Sequence, residues 1–138
     1  MTWKEAYAAA YKKHNTEKFP EAMATGYFRV TYPKVLTANG LTTFIMNYLT
    51  WHGHRSTRIS SAGRYIAGLG YIPGPTRVGS ADVSATIRGR SVMLEVKVGR
   101  DKPSPDQLKE QARERAAGGI YEFVYSPDGF LLLYNSLI

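Results

Sequence analysis

The sequence predicts an α/β fold in which a small mixed β-sheet is flanked by helices. Apolar residues alternate with other residues along 83–98, which is the pattern of a half-buried β-hairpin. Helical patterns with capping residues lie on both sides of it, at 39–52 and 105–117, and a short strand pattern follows at 120–125. With 138 residues, 43% of them hydrophobic, the chain is long enough to bury one core. One compact domain is therefore expected.

The first 38 residues are predicted to form an N-terminal helix and an extended arm. The motif Thr2-x-x-Glu5 is a capping box, which opens a helix that runs to about His14. Residues 15–38 show no sustained period and are expected to be extended and irregular, with a short strand at 27–31.

Residues 39–138 are predicted to form the core. Asn39 is expected to cap a helix that ends at Gly53, and a strand follows at 54–60. Residues 68–79 are rich in Gly and Pro and predict a loop. The remaining elements are the hairpin in 83–98, a helix at 105–117 opened by Ser104 and Pro105, a strand at 120–125 and a C-terminal helix from Pro127.

Two carboxylates are predicted to face each other at the open end of the hairpin. If Arg88-Gly89 is a two-residue turn, counting outward from it places Asp82 opposite Glu95. Like charges in directly opposed positions destabilise a strand pair by roughly 0.2 to 1 kcal/mol, so a compensating cation is expected. Lys97 follows Glu95 by two residues and lies on the same face.

This pattern is typical of a Mg²⁺ or Mn²⁺ site, since these ions prefer oxygen ligands and keep room for water and phosphate. Such an ion lowers the pKa of a bound water, and a lysine beside it can orient the water or stabilise negative charge, so phosphodiester hydrolysis is the natural reaction. Spacing alone leaves open an ordinary hairpin whose polar face is solvated, with Glu95 and Lys97 as a weak surface pair.

The residues resemble the PD-(D/E)XK nuclease superfamily, and within it the VRR-NUC branch. The resemblance extends over about 39–133. Its motifs are Gly79-x-x-Asp82-Val83, then Leu94-Glu95-Val96-Lys97, then Lys102-Pro103-Ser104-Pro105-Asp106-Gln107. The resemblance implies a restriction-endonuclease-like core and a divalent-metal-dependent nuclease.

The resemblance also implies a role for each motif residue. Asp82 and Glu95 would bind the ion, with the Val96 carbonyl as an extra ligand. Lys97 would assist the attacking water and Gln107 would support the site. The residues themselves explain Gln107 equally well as the closing residue of a capping box.

The sequence departs from the family at one point. The family commonly carries a Glu in the first core helix, whereas 39–52 contains no acid. That contact is therefore missing, or is supplied by Asn39, Thr42 or Thr43, and a second metal ion is in question.

The positive charge is concentrated in one part of the chain. The formal net charge is +7, and no acidic residue occurs between Glu21 and Asp82, where aromatic residues lie among the basic ones. This favours a nucleic-acid-binding face, with phosphates held by basic side chains. The predicted contacts are Arg55, Arg58, Ser60, Arg64 and Arg77. The alternative is a solvated positive side whose aromatic residues, including Tyr27, Tyr32, Trp51, Tyr65 and Tyr71, belong to the core.

Composition excludes several other classes of site. Cysteine is absent, which excludes disulfides, thiolate zinc sites and a cysteine nucleophile. His52-Gly53-His54 is a poor metal motif, because a glycine that ends a helix would direct the two imidazoles apart. The absence of a long apolar run and of a signal peptide predicts a cytoplasmic protein with no membrane partner, and nothing indicates a small-molecule cofactor.

The function predicted from these observations is a Mg²⁺- or Mn²⁺-dependent DNA endonuclease. The resemblance further implies selectivity for branched or junction DNA, a homodimer and a phage origin. The alternative is a catalytically silent, basic nucleic-acid-binding module, and an RNA-directed nuclease is a third interpretation.

Overall fold

A computed structural model describes residues 1–59, 64–72, 79 and 81–138, with Arg64 described by its backbone only. In chain order, these residues form α1 (Trp3–Lys18), α2 (Pro20–Ala24), α3 (Ala38–Trp51), β1 (Arg55–Arg58), β2 (Arg64–Ile66), β3 (Gly70–Ile72), β4 (Val83–Ile87), β5 (Arg90–Val96), α4 (Pro105–Ala116), β6 (Ile120–Val124) and α5 (Pro127–Leu137).

The main sheet has four strands in the order β1-β4-β5-β6. The pairs β1–β4 and β4–β5 are antiparallel, whereas β6 runs parallel to β5. A parallel neighbour requires a crossover connection, which α4 supplies. β2 and β3 form a separate two-stranded antiparallel sheet. The predicted small mixed sheet flanked by helices is confirmed.

The turn between β4 and β5 fixes the register that matters for the site. Arg88 and Gly89 both have positive φ, at 50° and 78°. This is the conformation of a two-residue type I′ turn, whose twist matches that of the flanking strands. Ile87 pairs with Arg90, and the same register continues to the far end of β4. The predicted two-residue turn and register are confirmed.

The two faces of the sheet are covered by different helices. On one face, the central strands β4 and β5 present apolar side chains that pack on a core that includes residues of α1, α3 and α5. Its strand residues are Val83, Ala85, Ile87, Val92, Leu94 and Val96. Side chains alternate along a strand, so Glu95 lies on the opposite face, where α4 packs.

The first helix is part of this core. Tyr7 of α1 stacks on Phe44 of α3 with ring centroids 5.4 Å apart, and Trp3 meets the same ring edge-on, also at 5.4 Å. Aromatic pairs in such geometries stabilise a fold beyond their burial alone. At 16 residues, α1 is also the longest helix in the described ranges, and none of those helices has the length and apolar composition of a membrane span.

The predicted extended arm contains more helix than expected. α1 runs to Lys18 instead of about His14, because no helix-breaking residue intervenes before Pro20. Pro20 then opens the short helix α2, since proline is well suited to the first helical position. The predicted strand at 27–31 is wrong, because that segment has no strand partner in the described structure.

Three further boundaries differ from prediction. α3 is capped by Thr37, whose hydroxyl accepts a hydrogen bond from Gly40 N at 3.0 Å, and not by Asn39. β1 ends at Arg58, two residues earlier than predicted. The predicted loop at 68–79 contains β3, which pairs with β2. Elements α4, β6 and α5 lie where they were predicted, within a residue or two.

Candidate metal centre

Asp82 and Glu95 lie together at one end of the sheet. Asp82 immediately precedes β4, and extending the β4–β5 register by one residue places it opposite Glu95. Asp82 Oδ2 accepts a hydrogen bond from Val96 N at 2.8 Å, which holds this carboxylate against β5. The two acids therefore face each other on the α4 side of the sheet, as the predicted register requires.

Glu95 is buried, with only 6% of its surface exposed, and its two oxygens have different surroundings. Oε1 accepts a hydrogen bond from Gln107 Nε2 at 2.8 Å and lies 3.4 Å from Lys97 Nζ. Oε2 is buried and has no hydrogen-bond partner among the described residues. A buried carboxylate oxygen without a partner is costly, so Oε2 is suited to bind a cation.

Burial and charge act together on this carboxylate. Desolvation, and next the negative charge of Asp82, raise the pKa of Glu95 to about 7, although Lys97 acts in the opposite direction. Asp82 is half-buried, so the repulsion acts between one buried and one half-buried acid and favours a cation or a proton near them. The burial of Glu95 argues against the alternative of a solvated polar face.

Gln107 satisfies both interpretations of its sequence position. Its Oε1 accepts a hydrogen bond from Ser104 N at 2.9 Å and completes the capping box of α4. Its Nε2 donates to Glu95. The two contacts are compatible because a primary amide carries a separate acceptor and donor. The cap thus fixes the amide that orients Glu95, while a role for Gln107 in catalysis stays a prediction.

The Val96 carbonyl was predicted to be an extra ligand, and this role stays a prediction. Val96 N donates to Asp82, on the β4 side of β5. In an antiparallel strand pair the N–H and C=O of one residue point to the same neighbour, so the carbonyl of Val96 faces the same side. Within the described ranges, no cluster of three or more His, Cys, Asp or Glu side chains is placed to hold a metal.

Tyr121 supports the site from β6, although the sequence does not predict this role. Tyr121 is 2% exposed, and its hydroxyl donates to Gly79 O at 2.9 Å. Burial, and next the charges of Glu95 and Asp82, raise the pKa of Tyr121 well above its usual range, so the phenol keeps its proton and stays a donor. In the sequence, Tyr121 looks like any aromatic strand residue, and a backbone acceptor has no signature of its own.

Gly79 connects this phenol to α4. Its φ is +86°, and a Cβ at this position would lie 2.5 Å from Asp106 O. Only glycine combines this backbone conformation with such a close approach. The contact joins the segment before Asp82 to the first turn of the helix that carries Gln107.

The three candidates in α3 for the missing acid are already engaged. Asn39 Oδ1 accepts a hydrogen bond from Arg58 Nη1 at 2.6 Å. The hydroxyls of Thr42 and Thr43 donate to backbone carbonyls one turn earlier in the helix. An additional ligand from this helix therefore stays a prediction without structural support.

The predicted phosphate-binding residues are only partly described. Arg55 and Arg58 are both exposed on β1. Arg58 pairs with Val83 and so lies on the core face, at the same end of the sheet as Asp82, whereas Arg55 pairs with Thr86 and lies on the α4 face. Ser60 and Arg77 lie outside the described residues, as does the side chain of Arg64.

The aromatic residues of the acid-free stretch divide into two groups. Trp51 packs on Tyr7 with ring centroids 4.8 Å apart, and Tyr32 lies edge-on to Trp3 at 6.0 Å. Tyr27 and the two tyrosines of the β2–β3 sheet, by contrast, are exposed. Core packing therefore explains only part of the aromatic content.

The histidine pair has a structural role. His54 Nε2 lies 2.8 Å from the hydroxyl of Tyr134, and His52 packs on Tyr48 with ring centroids 4.4 Å apart. Desolvation lowers the pKa of both imidazoles. Both rings belong to an aromatic cluster with α5, in agreement with the rejection of His52-Gly53-His54 as a metal motif.

Comparisons with known proteins agree with the predicted fold. No family model matches the chain, and no curated protein matches it. Among solved structures, one titled "VRR_NUC domain" superimposes with a TM-score of 0.51 and 23% sequence identity, covering 70% of this chain and 96% of that chain. The chain has the fold of a VRR_NUC domain, as the sequence motifs predicted.

Proposed function

We propose that the chain is a divalent-metal-dependent endonuclease that hydrolyses phosphodiester bonds in DNA. The observation that carries this proposal is buried Glu95, which lies opposite half-buried Asp82 and has one unpartnered oxygen, Oε2, while its other oxygen lies beside the Lys97 ammonium. A site of this kind is expected where a metal ion and a phosphate meet.

The donor set fits Mg²⁺ or Mn²⁺. Asp82 and Glu95 offer carboxylate oxygens, and the Val96 carbonyl is the proposed extra ligand. When bound, a divalent ion lowers the pKa of a coordinated water and offsets charge on the attacked phosphate.

Four other residues have separate roles in the proposed site. Lys97 Nζ, 3.4 Å from Glu95 Oε1, provides a positive charge that stabilises negative charge developing on the phosphate. Gln107 holds Glu95 Oε1 by its hydrogen bond at 2.8 Å, which leaves Oε2 for the ion. Tyr121 and Gly79 fix the segment leading to Asp82. Lys97 and Gln107 thus act on Glu95 directly, whereas Tyr121 and Gly79 act on the segment before Asp82.

Charge favours a nucleic acid as the substrate. The net charge is +7, and no acid occurs between Glu21 and Asp82, so this stretch attracts a polyanion. The stretch ends at Asp82, which belongs to the proposed metal site. DNA as the substrate, selectivity for branched or junction DNA, a homodimer, a cytoplasmic location and a phage origin are the finer parts of the proposal, and the resemblance supports them.

A second candidate function is a silent nucleic-acid-binding module. The observation in its favour is that the described residues include only two acids at the site. The burial of Glu95 opposite Asp82 argues against it, because a protein that only binds a polyanion gains nothing from two opposed acids, one of them buried.

A cleavage assay distinguishes the two functions. The purified chain is incubated with blunt duplex, flap, nicked and four-way DNA in Mg²⁺, Mn²⁺ or EDTA, next to the Glu95→Gln variant. Nicking or cutting that requires the metal and is lost in the variant supports the nuclease. Binding without cleavage in either metal, or cleavage that survives in Glu95→Gln, overturns it.

A further inference from the structure

The two-stranded sheet β2–β3 exposes an unusual amount of apolar surface. Tyr65 and Tyr71 are directly opposed across the two strands, so both side chains lie on one face of this hairpin. They are 76% and 65% exposed, and Leu69 in the connecting turn is 72% exposed. Three large exposed side chains in nine residues indicate that the hairpin is a contact surface, because a purely structural element would bury them.

The path of the chain limits how far this hairpin can begin from the metal centre. Ile59 N donates to Asp82 O at 2.7 Å, so the segment that carries β2 and β3 leaves and rejoins the main sheet at the position of Asp82. Five residue steps separate Ile59 from Arg64, which limits their separation to about 18 Å. The hairpin therefore begins within about that distance of the end of the sheet where Asp82 and Glu95 meet.

The charge of this region selects the kind of partner. The segment between Ile59 and Asp82 contains no acid, and Arg58 lies at its base. A basic, acid-free segment that presents exposed aromatic rings is complementary to a polyanion with exposed π-faces. Duplex DNA hides its bases in the stack, whereas unpaired bases offer a face to an aromatic side chain.

We propose that the β2–β3 hairpin stacks Tyr65 and Tyr71 on unpaired bases of the DNA that the metal centre cleaves. This proposal rests on the proposed function and specifies its substrate class as DNA with unpaired or splayed bases. The hairpin positions such DNA next to Asp82, and it does not itself take part in the hydrolysis.

Binding in EDTA tests the proposal, because no cleavage is expected without metal. The probes are a blunt duplex and the same duplex with an internal unpaired tract that carries 2-aminopurine. The variants are Tyr65→Ala/Tyr71→Ala and Tyr65→Phe/Tyr71→Phe. Tyr27→Ala is the matched control, since Tyr27 is 94% exposed but lies outside the hairpin.

The double alanine variant is expected to lose its preference for the unpaired probe over the duplex, by about 5- to 150-fold for each base that loses its stacking partner. The phenylalanine variant and Tyr27→Ala should keep the preference. Quenching of 2-aminopurine by the wild type should disappear in the double alanine variant only. Circular dichroism establishes that each variant is folded.

Two outcomes overturn the proposal. In the first, the preference and the quenching are unchanged in the double alanine variant. In the second, the variant loses affinity for both probes equally and sediments as a smaller species than the wild type, which would assign the hairpin to a contact between two copies of the chain. Cleavage by the wild type in Mg²⁺ or Mn²⁺ is measured separately, so a failed nuclease and a failed stacking surface give different results.

Discussion

Gln107 Nε2 lies 2.8 Å from Glu95 Oε1, and this hydrogen bond links the first turn of α4 to the buried carboxylate. The same side chain closes the helix cap, so the start of α4 and the orientation of Glu95 depend on one another. A substitution at Gln107 can separate the two roles, because glutamate keeps the capping acceptor and removes the donor.

We expect Gln107→Glu to be less stable than the wild type in EDTA, since a third carboxylate would face Asp82 and Glu95. Adding Mn²⁺ should raise its melting temperature by more than it raises that of the wild type, because the ion relieves a larger repulsion. Differential scanning fluorimetry with and without Mn²⁺ measures both effects.

Gln107→Ala is the control for this experiment. It loses the side-chain acceptor for Ser104 N and the hydrogen bond to Glu95 together, keeps the Ser104 cap itself, and should be destabilised by about 1 to 2 kcal/mol. Its response to Mn²⁺ should not exceed that of the wild type. A Gln107→Glu variant as stable as the wild type in EDTA would contradict the contact with Glu95.

The pKa of Glu95 predicts the pH dependence of stability in the metal-free protein. The folded-state pKa of about 7 lies above the ordinary value of 4.5, so the folded state binds more protons between these values. This contribution is fully present below pH 4.5 and is lost as the pH rises through 7. At 1.36 kcal/mol per pKa unit the loss is about 3 kcal/mol.

Urea unfolding in EDTA at pH 5 and pH 8 measures this loss, and Glu95→Gln should remove most of it. Mn²⁺ binding should release protons near neutral pH and weaken as the pH falls below 7, since the ion and the proton compete for one carboxylate. Calorimetry in two buffers of different ionisation enthalpy detects the release. Binding without proton release at pH 6.5 would show that Glu95 is not a ligand.

Tyr121 and Gly79 are predicted to support the centre without touching the substrate. Tyr121→Phe keeps the ring and removes the hydrogen bond to Gly79 O, so the free energy of unfolding should fall by about 1 kcal/mol. Gly79→Ala should cost more, because the added Cβ meets Asp106 O in a backbone conformation that favours glycine. Chemical denaturation gives both values, and an unchanged stability in Gly79→Ala would contradict the close approach.

Arg58 provides a test of the binding face. Arg58→Gln should weaken DNA binding for all sequences and reduce the slope of log K against log salt by about one. Lys13→Gln is the matched control, because Lys13 lies on α1, outside the predicted face. Fluorescence anisotropy over a salt series measures both slopes. Equal changes in the two variants would mean that the charge acts diffusely.

The sequence predicted the parts of the fold that depend on local chemistry. The Arg88-Gly89 turn and the alternation around it are local, and they were enough to place Asp82 opposite Glu95. The Ser104 cap likewise located the start of α4. In each case the information lies within a few residues of the feature itself.

The features that the sequence did not predict depend on distant contacts. Thr37 and Asn39 are both good capping residues, and Asn39 is used instead to bind Arg58 from another element. The hydroxyl of Tyr121 donates to the carbonyl of Gly79, which lies 42 positions earlier in the chain. The three-residue strands β2 and β3 are too short to show a period. β3 also lies within the stretch 68–79, whose glycine and proline content predicts a loop.

The hydrogen bond between Ile59 and Asp82 also bears on how such a protein can diversify. It holds the two ends of the intervening segment together, next to the paired strands β1 and β4. Changing the length of an insertion closed in this way costs only about 0.6 kcal/mol per doubling of its length. The part of the intervening segment that precedes Gly79 can therefore be exchanged or reshaped, in evolution or in the laboratory, while Asp82 keeps its place opposite Glu95.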